Sequence, residues 1–397
     1  MNDKIENIVY GLVRGYRKLQ RKRVATKKVE RILVIRLDHL GDMVCTSPFI
    51  RELRKNYPQA QIDLLCSDEV YNYIELNPYV DNIIKYKHPD IKEHIFEKAL
   101  MFMYKFAKQN FAHKYYDIIF TPEYPTPPVI RILAHFIHGN NVVSFISLDN
   151  KIVLTDTNFN QAKLPARHTV ENCLDLLIAV DCQWSSDELE IWSDAHDRQV
   201  VDDLFASYGI RDDKLKLVLF LSTSAAYKDW AVENYAQVAK LLQEKYDVEI
   251  ILLGAQRDTE IKGKQFMQLV PEAYNLIGKT TIRQTGVVIS KSDLYLGGDT
   301  GTLHLAAACK IPGVVITKDY DGAIGGDFGT LMDRFYPWKA PIRIKRPKKP
   351  IEGCETECRK SYAHCINQIS PNEVFNELLD IIENDIKIEN DIKGEIL

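Results

Sequence analysis

The stretch Leu296-Gly297-Gly298-Asp299-Thr300-Gly301-Thr302-Leu303-His304 carries the strongest chemical signal in the chain. Apolar residues Leu294 to Leu296 read as a strand. Two glycines and an Asp-Thr-Gly turn follow, then an Ala-rich helix that ends before Pro312. A helix opening just past a strand leaves its first N–H groups unpaired and puts its positive dipole end there, which suits a phosphate or pyrophosphate. Glycines lack the Cβ atoms that would hold an anion off the backbone. Asp299 is expected to cap the helix, because a carboxylate beside a diphosphate would repel it. Thr300, Gly301 and Thr302 supply the helix start. His304, one turn further in, either reaches a bound phosphate or is simply packed.

Three more segments follow strand ends. Arg36-Leu37-Asp38-His39-Leu40-Gly41-Asp42-Met43 leads into a helix with Thr46, Ser47 and Pro48 near its start. With one glycine it is no G-x-G-x-x-G fingerprint, so it does not point to a dinucleotide oxidoreductase. Asp42 either caps that helix or acts as a base, with burial raising its pKa and the helix dipole lowering it. Ser222-Thr223-Ser224-Ala225-Ala226-Tyr227-Lys228-Asp229-Trp230 combines hydroxyl donors with one mobile positive charge, a set suited to a leaving diphosphate. The alternative is a solvated loop in which Lys228 pairs with Asp229. In Gly254 to Glu260, Asp258 and Glu260 either accept hydrogen bonds from ribose hydroxyls or sit in a helix's first turn, where negative charge is favoured.

Asp319-Tyr320-Asp321 offers a carboxylate pair for a metal, but a solvated turn beside the glycines at 322, 325, 326 and 329 explains it without one. Of the eight cysteines, Cys45, Cys66, Cys173, Cys182 and Cys309 lie in apolar or helical surroundings and read as small core residues. Cys354, Cys358 and Cys365, with His364, cluster in a polar segment. Their spacing matches no standard zinc pattern, and reduced thiols or a local disulfide are the expectation there. No metal or other cofactor is expected.

These segments are positioned by a repeated alternation. Continuous apolar strands at Arg31–Arg36, Ile62–Cys66, Asn82–Tyr86 and Tyr116–Phe120 alternate with helices, the longest from about Ile91 to Phe111. A second series has strands at Lys214–Leu221, Glu249–Leu253, Asp293–Leu296 and Gly313–Thr317, with helices near 233–246, 259–269, 281–290 and 301–310. Buried strands separated by helices mean parallel sheets covered on both faces. Two such series give an α/β protein with two doubly wound, Rossmann-like domains facing a cleft, and ligands bind outside the carboxyl ends of such strands. The organisation expected is a basic amphipathic extension over 1–30, one domain over 31–205, a second over 206–345, and a cysteine-containing segment with a C-terminal helix (about Pro371 to Ile388) over 346–397.

The 397 residues, 46% hydrophobic and 27% charged, suit a soluble two-domain protein. A net charge of −4 argues against nucleic acid as a partner. No apolar run reaches the roughly 18–20 residues that span a bilayer, and no signal peptide is evident, so a cytoplasmic location is expected. Residues 1–30 crowd Arg14, Arg17, Lys18, Arg21, Lys22 and Arg23 among apolar positions at helical spacing. That pattern fits either a frayed surface helix or attachment to an anionic membrane surface, where each basic residue adds about 1 kcal/mol.

Taken together, these motifs resemble the heptosyltransferase family, glycosyltransferase family 9, over residues 31 to about 385. The resemblance rests on Ile32-Leu33-Val34-Ile35-Arg36 leading to Gly41-Asp42 and Pro48, and on Leu53-Arg54 with Tyr57-Pro58. It extends through Pro78-Tyr79-Val80-Asp81, Lys228-x-Trp230, Asp299-Thr300-Gly301 and His304-Leu305-Ala306, and the three-cysteine segment is a recurrent feature of the family. It implies a GT-B fold and inverting, metal-independent sugar transfer from a nucleotide diphosphate sugar, usually ADP-heptose, to a lipopolysaccharide or other surface-saccharide acceptor. Asp42 falls on the proposed general base, with Arg36, His39 and Gly41 beside it on the acceptor side. Lys228 with Thr223 or Ser224 falls on the donor-phosphate site, Thr300, Gly301 and His304 on the helix-start contacts, and Glu260 or Asp258 near the ribose-binding acid. The chain departs from the pattern at Phe220-Leu221-Ser222-Thr223-Ser224 and at Ile316-Thr317-Lys318-Asp319-Tyr320, both near the donor. A nucleotide-sugar epimerase on the same fold would need no acceptor, and a non-catalytic sugar-nucleotide or membrane-binding protein would tolerate loss of Asp42.

Overall fold

The computed structural model describes residues 28–87, 96–123, 126–145, 157–159, 167–320, 331–354 and 361–386; the basic extension lies outside them. The chain divides into two units between Asp187 and Glu188. The first unit carries one parallel sheet, β1 (Arg31–Arg36), β2 (Gln61–Ser67), β3 (Asn82–Tyr86), β4 (Tyr116–Thr121), β5 (Gly139–Phe145) and β6 (Thr157–Phe159), ordered β3-β2-β1-β4-β5-β6. Ile32 to Ile35 are essentially fully buried, as a central strand covered on both faces requires. Because the order reverses between β1 and β4, their carboxyl ends part there and open a crevice.

Helix α1 (Leu40–Asn56) leaves β1 at that crevice. Pro48 within it has no N–H for the Val44 carbonyl, and the Ser47 hydroxyl donates to that oxygen instead, at 2.7 Å. After the short α2 (Tyr71–Ile74) come α3 (Phe96–Phe111), α4 (Pro128–Phe136) and α5 (Thr169–Ile178), the last packed against α1. The sheet is tied together at Asp63. Its carboxylate accepts from Tyr116 (2.6 Å), Asn82 (2.8 Å) and Lys114 (2.9 Å), and these donors hold its pKa below the usual range although burial pushes it up.

The second unit repeats the plan with β7 (Leu215–Phe220), β8 (Val248–Leu253), β9 (Tyr274–Asn275), β10 (Leu294–Gly298), β11 (Gly313–Ile316) and β12 (Ile342–Lys345). These are ordered β12-β11-β10-β7-β8-β9, again all parallel, with the reversal between β7 and β10. Its helices are α6 (Ala195–Tyr208), α7 (Val232–Lys245), α8 (Gln256–Leu269), α9 (Ile282–Ser290), α10 (Gly301–Cys309), α11 (Leu331–Phe335) and α12 (Pro371–Asp380). A division at 205/206 would cut α6. That helix, capped by Asp194 and closed by Gly209 at φ +71°, packs on α9, where Arg283 pairs with Asp197 at 2.7 Å. The final helix is shorter than its sequence pattern implied: the α-helix ends at Asp380 and a π turn follows over Ile381–Ile386.

Candidate active site

In the first unit, the β1 end, the α1 start and the loop after β4 meet around one buried guanidinium. Arg36 donates from Nη1 to the Pro122 carbonyl, and from Nη2 to Asp42 at 3.1 Å, with Asp38 at 3.4 Å. Its buried Nε has no hydrogen-bond partner among the described residues. Asp42 occupies the first turn of α1 but does not cap it, because the N-cap is His39, whose side chain makes no cap bond. Burial raises the Asp42 pKa, with Arg36 opposing and Asp38 adding to the rise. The carboxylate is thus oriented by a cation and left a better proton acceptor than an exposed aspartate. Glu123 completes the group. Burial, the Asp38 charge and a hydrogen bond with Asp38 push its pKa up to about 8, with Arg36 opposing. Beneath these carboxylates, Thr46 donates to the Asp42 carbonyl at 2.7 Å and Cys173 to the Pro122 carbonyl at 3.3 Å.

In the second unit, the loops after β7, β10 and β11 form a charged cluster at the switch point. Lys228 Nζ lies 3.7 Å from Asp299, both side chains being mostly buried. Asp229 turns the other way. It accepts from the Thr223 N–H (2.7 Å), the Thr223 hydroxyl (2.9 Å) and Lys262 (2.6 Å), so the loop carrying Lys228 is held in place before any ligand arrives. Helix α10 starts at Gly301 after Thr300, whose side chain makes no cap bond and instead meets the Thr302 hydroxyl at 2.7 Å. Burial raises the Asp299 pKa while Lys228 lowers it and Asp319 raises it further. Lys318 pairs with Asp319 at 2.8 Å. A lysine, hydroxyls and an uncapped helix start at one switch point can bind a diphosphate.

A model of "Glycosyltransferase family 9 (heptosyltransferase)" matches residues 134–317. The lipopolysaccharide heptosyltransferase 3 of Escherichia coli is 23% identical over 320 residues, spanning 78% of this chain and 91% of that protein. The lipopolysaccharide core heptosyltransferase OpsX of Haemophilus influenzae is 33% identical over 110 residues, but these span only 27% of this chain and 31% of OpsX. The solved E. coli heptosyltransferase WaaC with ADP superposes with a TM-score of 0.61 at 15% identity, covering 89% of this chain and 98% of that one. The chain resembles glycosyltransferase family 9 over residues 134–317. Its two Rossmann-like units are those of the GT-B fold, and the protein is a glycosyltransferase.

In this enzyme the structure brings some of the residues named from the sequence together and separates others. Asp42, Arg36 and the buried Gly41 share the first crevice, whereas the His39 side chain is 88% exposed near Glu69. Thr223, Lys228, Asp299, Thr300, Gly301 and Thr302 gather at the second, with Ser224 exposed beside them. Asp299 is not the helix cap; it faces Lys228, and Lys228 therefore does not pair with Asp229. His304 is 3% exposed, edge-on to Phe335, and burial lowers its pKa to about 4. It is a neutral packed side chain and brings no charge to a phosphate. Glu260 is exposed and paired with Lys264 at 2.7 Å, and the Asp258 side chain lies outside the described residues. The glycines of β10 serve packing. A Cβ on Gly297 would stand 2.6 Å from the Tyr295 hydroxyl, and one on Gly298 2.6 Å from the Thr223 methyl. The carboxylate of Asp319, paired with Lys318, also accepts from the Met332 N–H at 3.4 Å, and Asp321 lies outside the described residues.

Glu123, Asp38 and Lys262 were not singled out by the sequence, and Asp229 was named only as a partner for Lys228. Glu123 lies in a proline-bracketed loop with no periodicity to flag it. The usable signal was topological: it follows the strand that borders β1 at the switch point.

Proposed function

We propose that this glycosyltransferase moves a heptosyl residue from ADP-heptose to a saccharide of the lipopolysaccharide core, with inversion at the anomeric carbon. In this reading Asp42 accepts the proton of an acceptor hydroxyl as that oxygen attacks the anomeric carbon. The bond from that carbon to the diphosphate oxygen breaks, and ADP leaves. Lys228 and the N–H groups of Gly301 and Thr302 stabilise the charge that builds on the leaving diphosphate, where one such contact is worth on the order of 3–4 kcal/mol. Thr223 acts through the loop it fixes with Asp229 and Lys262.

The observation that carries this reading is the second switch point, where Lys228 stands beside a helix start that no side chain caps. Heptose, ADP and the lipopolysaccharide acceptor are supported by the named relatives, of which WaaC was solved with ADP. Among the described residues no helix is long and apolar enough to cross a membrane. The basic residues near the N-terminus bring the enzyme to an anionic membrane surface where a glycolipid acceptor is presented. The test is to incubate purified enzyme with ADP-heptose and a lipopolysaccharide core acceptor, following ADP release and the mass and anomeric configuration of the product. ADP released in step with an acceptor heavier by one heptosyl residue, of inverted configuration, supports the reading. A retained anomer, or a donor changed without acceptor, overturns it.

A further inference from the structure

We propose that Cys354, His364 and Cys365 form a binding site for a thiophilic divalent cation of the zinc type, apart from the transfer chemistry. Their ligand atoms lie within 4.8 Å of one another, with Cys354 Sγ only 2.9 Å from His364 Nε2. Tetrahedral zinc at its usual bond lengths separates ligand atoms by roughly 3.5–3.8 Å, a spacing within the 4.8 Å limit that holds these three atoms. The surroundings prepare them for that role. His364 Nδ1 stands 2.8 Å from the Tyr362 carbonyl, an acceptor that fixes the proton on Nδ1 and leaves the Nε2 lone pair facing Cys354. The Ile351 N–H donates to Cys365 Sγ at 3.4 Å, a contact that helps to fix the position of that sulfur. Both cysteines are buried, at 8% and 7% exposure, where an ionised thiolate without a cation would be costly.

The site lies on the segment that packs beneath the donor loop. Ile366, next to Cys365, is fully buried in the core of the second unit, and the Trp230 indole N–H donates to the Ile369 carbonyl at 3.1 Å. Trp230 is two residues from Lys228. Three protein ligands joined across the segment would lock it without touching the substrate.

The test is elemental analysis of the full chain purified without chelator from zinc-supplemented culture, paired with mapping of alkylated cysteines. About one zinc per chain is expected. Cys354→Ser and Cys365→Ser should lower it at least tenfold, and His364→Gln should weaken retention against a competing chelator. In the wild-type chain, Cys354 and Cys365 should resist alkylation until a chelator is added. That readout needs no variant to fold. Recovery of the two cysteines as a disulfide, or their alkylation at equal rates with and without chelator, overturns the site. So does zinc that persists in all three variants.

Discussion

Replacing Glu123 with glutamine removes one titrating proton from the carboxyl group around Arg36 while keeping the side chain's size. With a pKa raised to about 8, Glu123 is roughly ten-to-one protonated at pH 7, so the amide copies its prevailing form. A carboxyl whose folded pKa lies above its unfolded value of 4.5 holds a proton that the unfolded chain has released. The stability this confers is full below pH 4.5 and is lost as pH rises to about 8. Each pH unit inside that window costs wild type up to about 1.4 kcal/mol relative to Glu123→Gln, or at most about 2.7 kcal/mol from pH 5.5 to 7.5. Denaturant unfolding of both proteins at half-unit steps from pH 5 to 9 measures the difference. The two stabilities should diverge through the window and run parallel above pH 9, the variant being the more stable in alkali. Curves parallel throughout, or a wild type that gains on the variant as pH rises, would refute the assignment of a neutral Glu123.

Asp42→Asn should cut transfer by about 10²–10⁴-fold while the affinity for ADP, read by calorimetry, stays within a factor of a few; loss of both would make Asp42 a structural residue. Lys228→Ala should weaken ADP far more than adenosine, whereas equal losses would place the lysine away from the phosphates. Lys262→Met leaves the Asp229 carboxylate without its cation and should destabilise the second unit by about 1–3 kcal/mol, checked by thermal melting. His304, with a folded pKa near 4 against 6.5, makes stability fall as pH drops below 6.5, because the unfolded chain takes up the proton first. His304→Leu should flatten that part of the profile, and an unchanged slope would show that His304 is charged in the fold.

The central strands were legible because burial on both faces writes a continuous apolar run, as in Ile32 to Ile35 or Leu217 to Phe220. Elements at the sheet edges left weaker marks. β12 alternates Ile and charged residues with only Ile342 buried, β9 has two residues, and β5 opens on Gly139-Asn140-Asn141. Helix α6 was hidden because only Asp197, Val201 and Phe205 are buried in it, a stripe one residue wide. At the site, Asp42 and Lys228 were readable since both follow strand ends next to glycine or hydroxyl residues. Their partners were not, because the pairing of Lys228 with Asp299 joins residues far apart in sequence, and nearest-neighbour logic chose Asp229. For His304 the sequence left a phosphate contact and simple packing both open, and an Ala-rich helix buried on most sides turns its fourth residue into the core.

The central claim is that the β7–β10 switch point grips a diphosphate, and the direct measurement is calorimetric titration of the enzyme with ADP, AMP and adenosine, in wild type and Lys228→Ala. A steep gain in affinity from AMP to ADP in wild type, shrinking at least tenfold in the variant, is the predicted result. Equal affinity for the three ligands, or a gain that survives loss of the lysine, would contradict it.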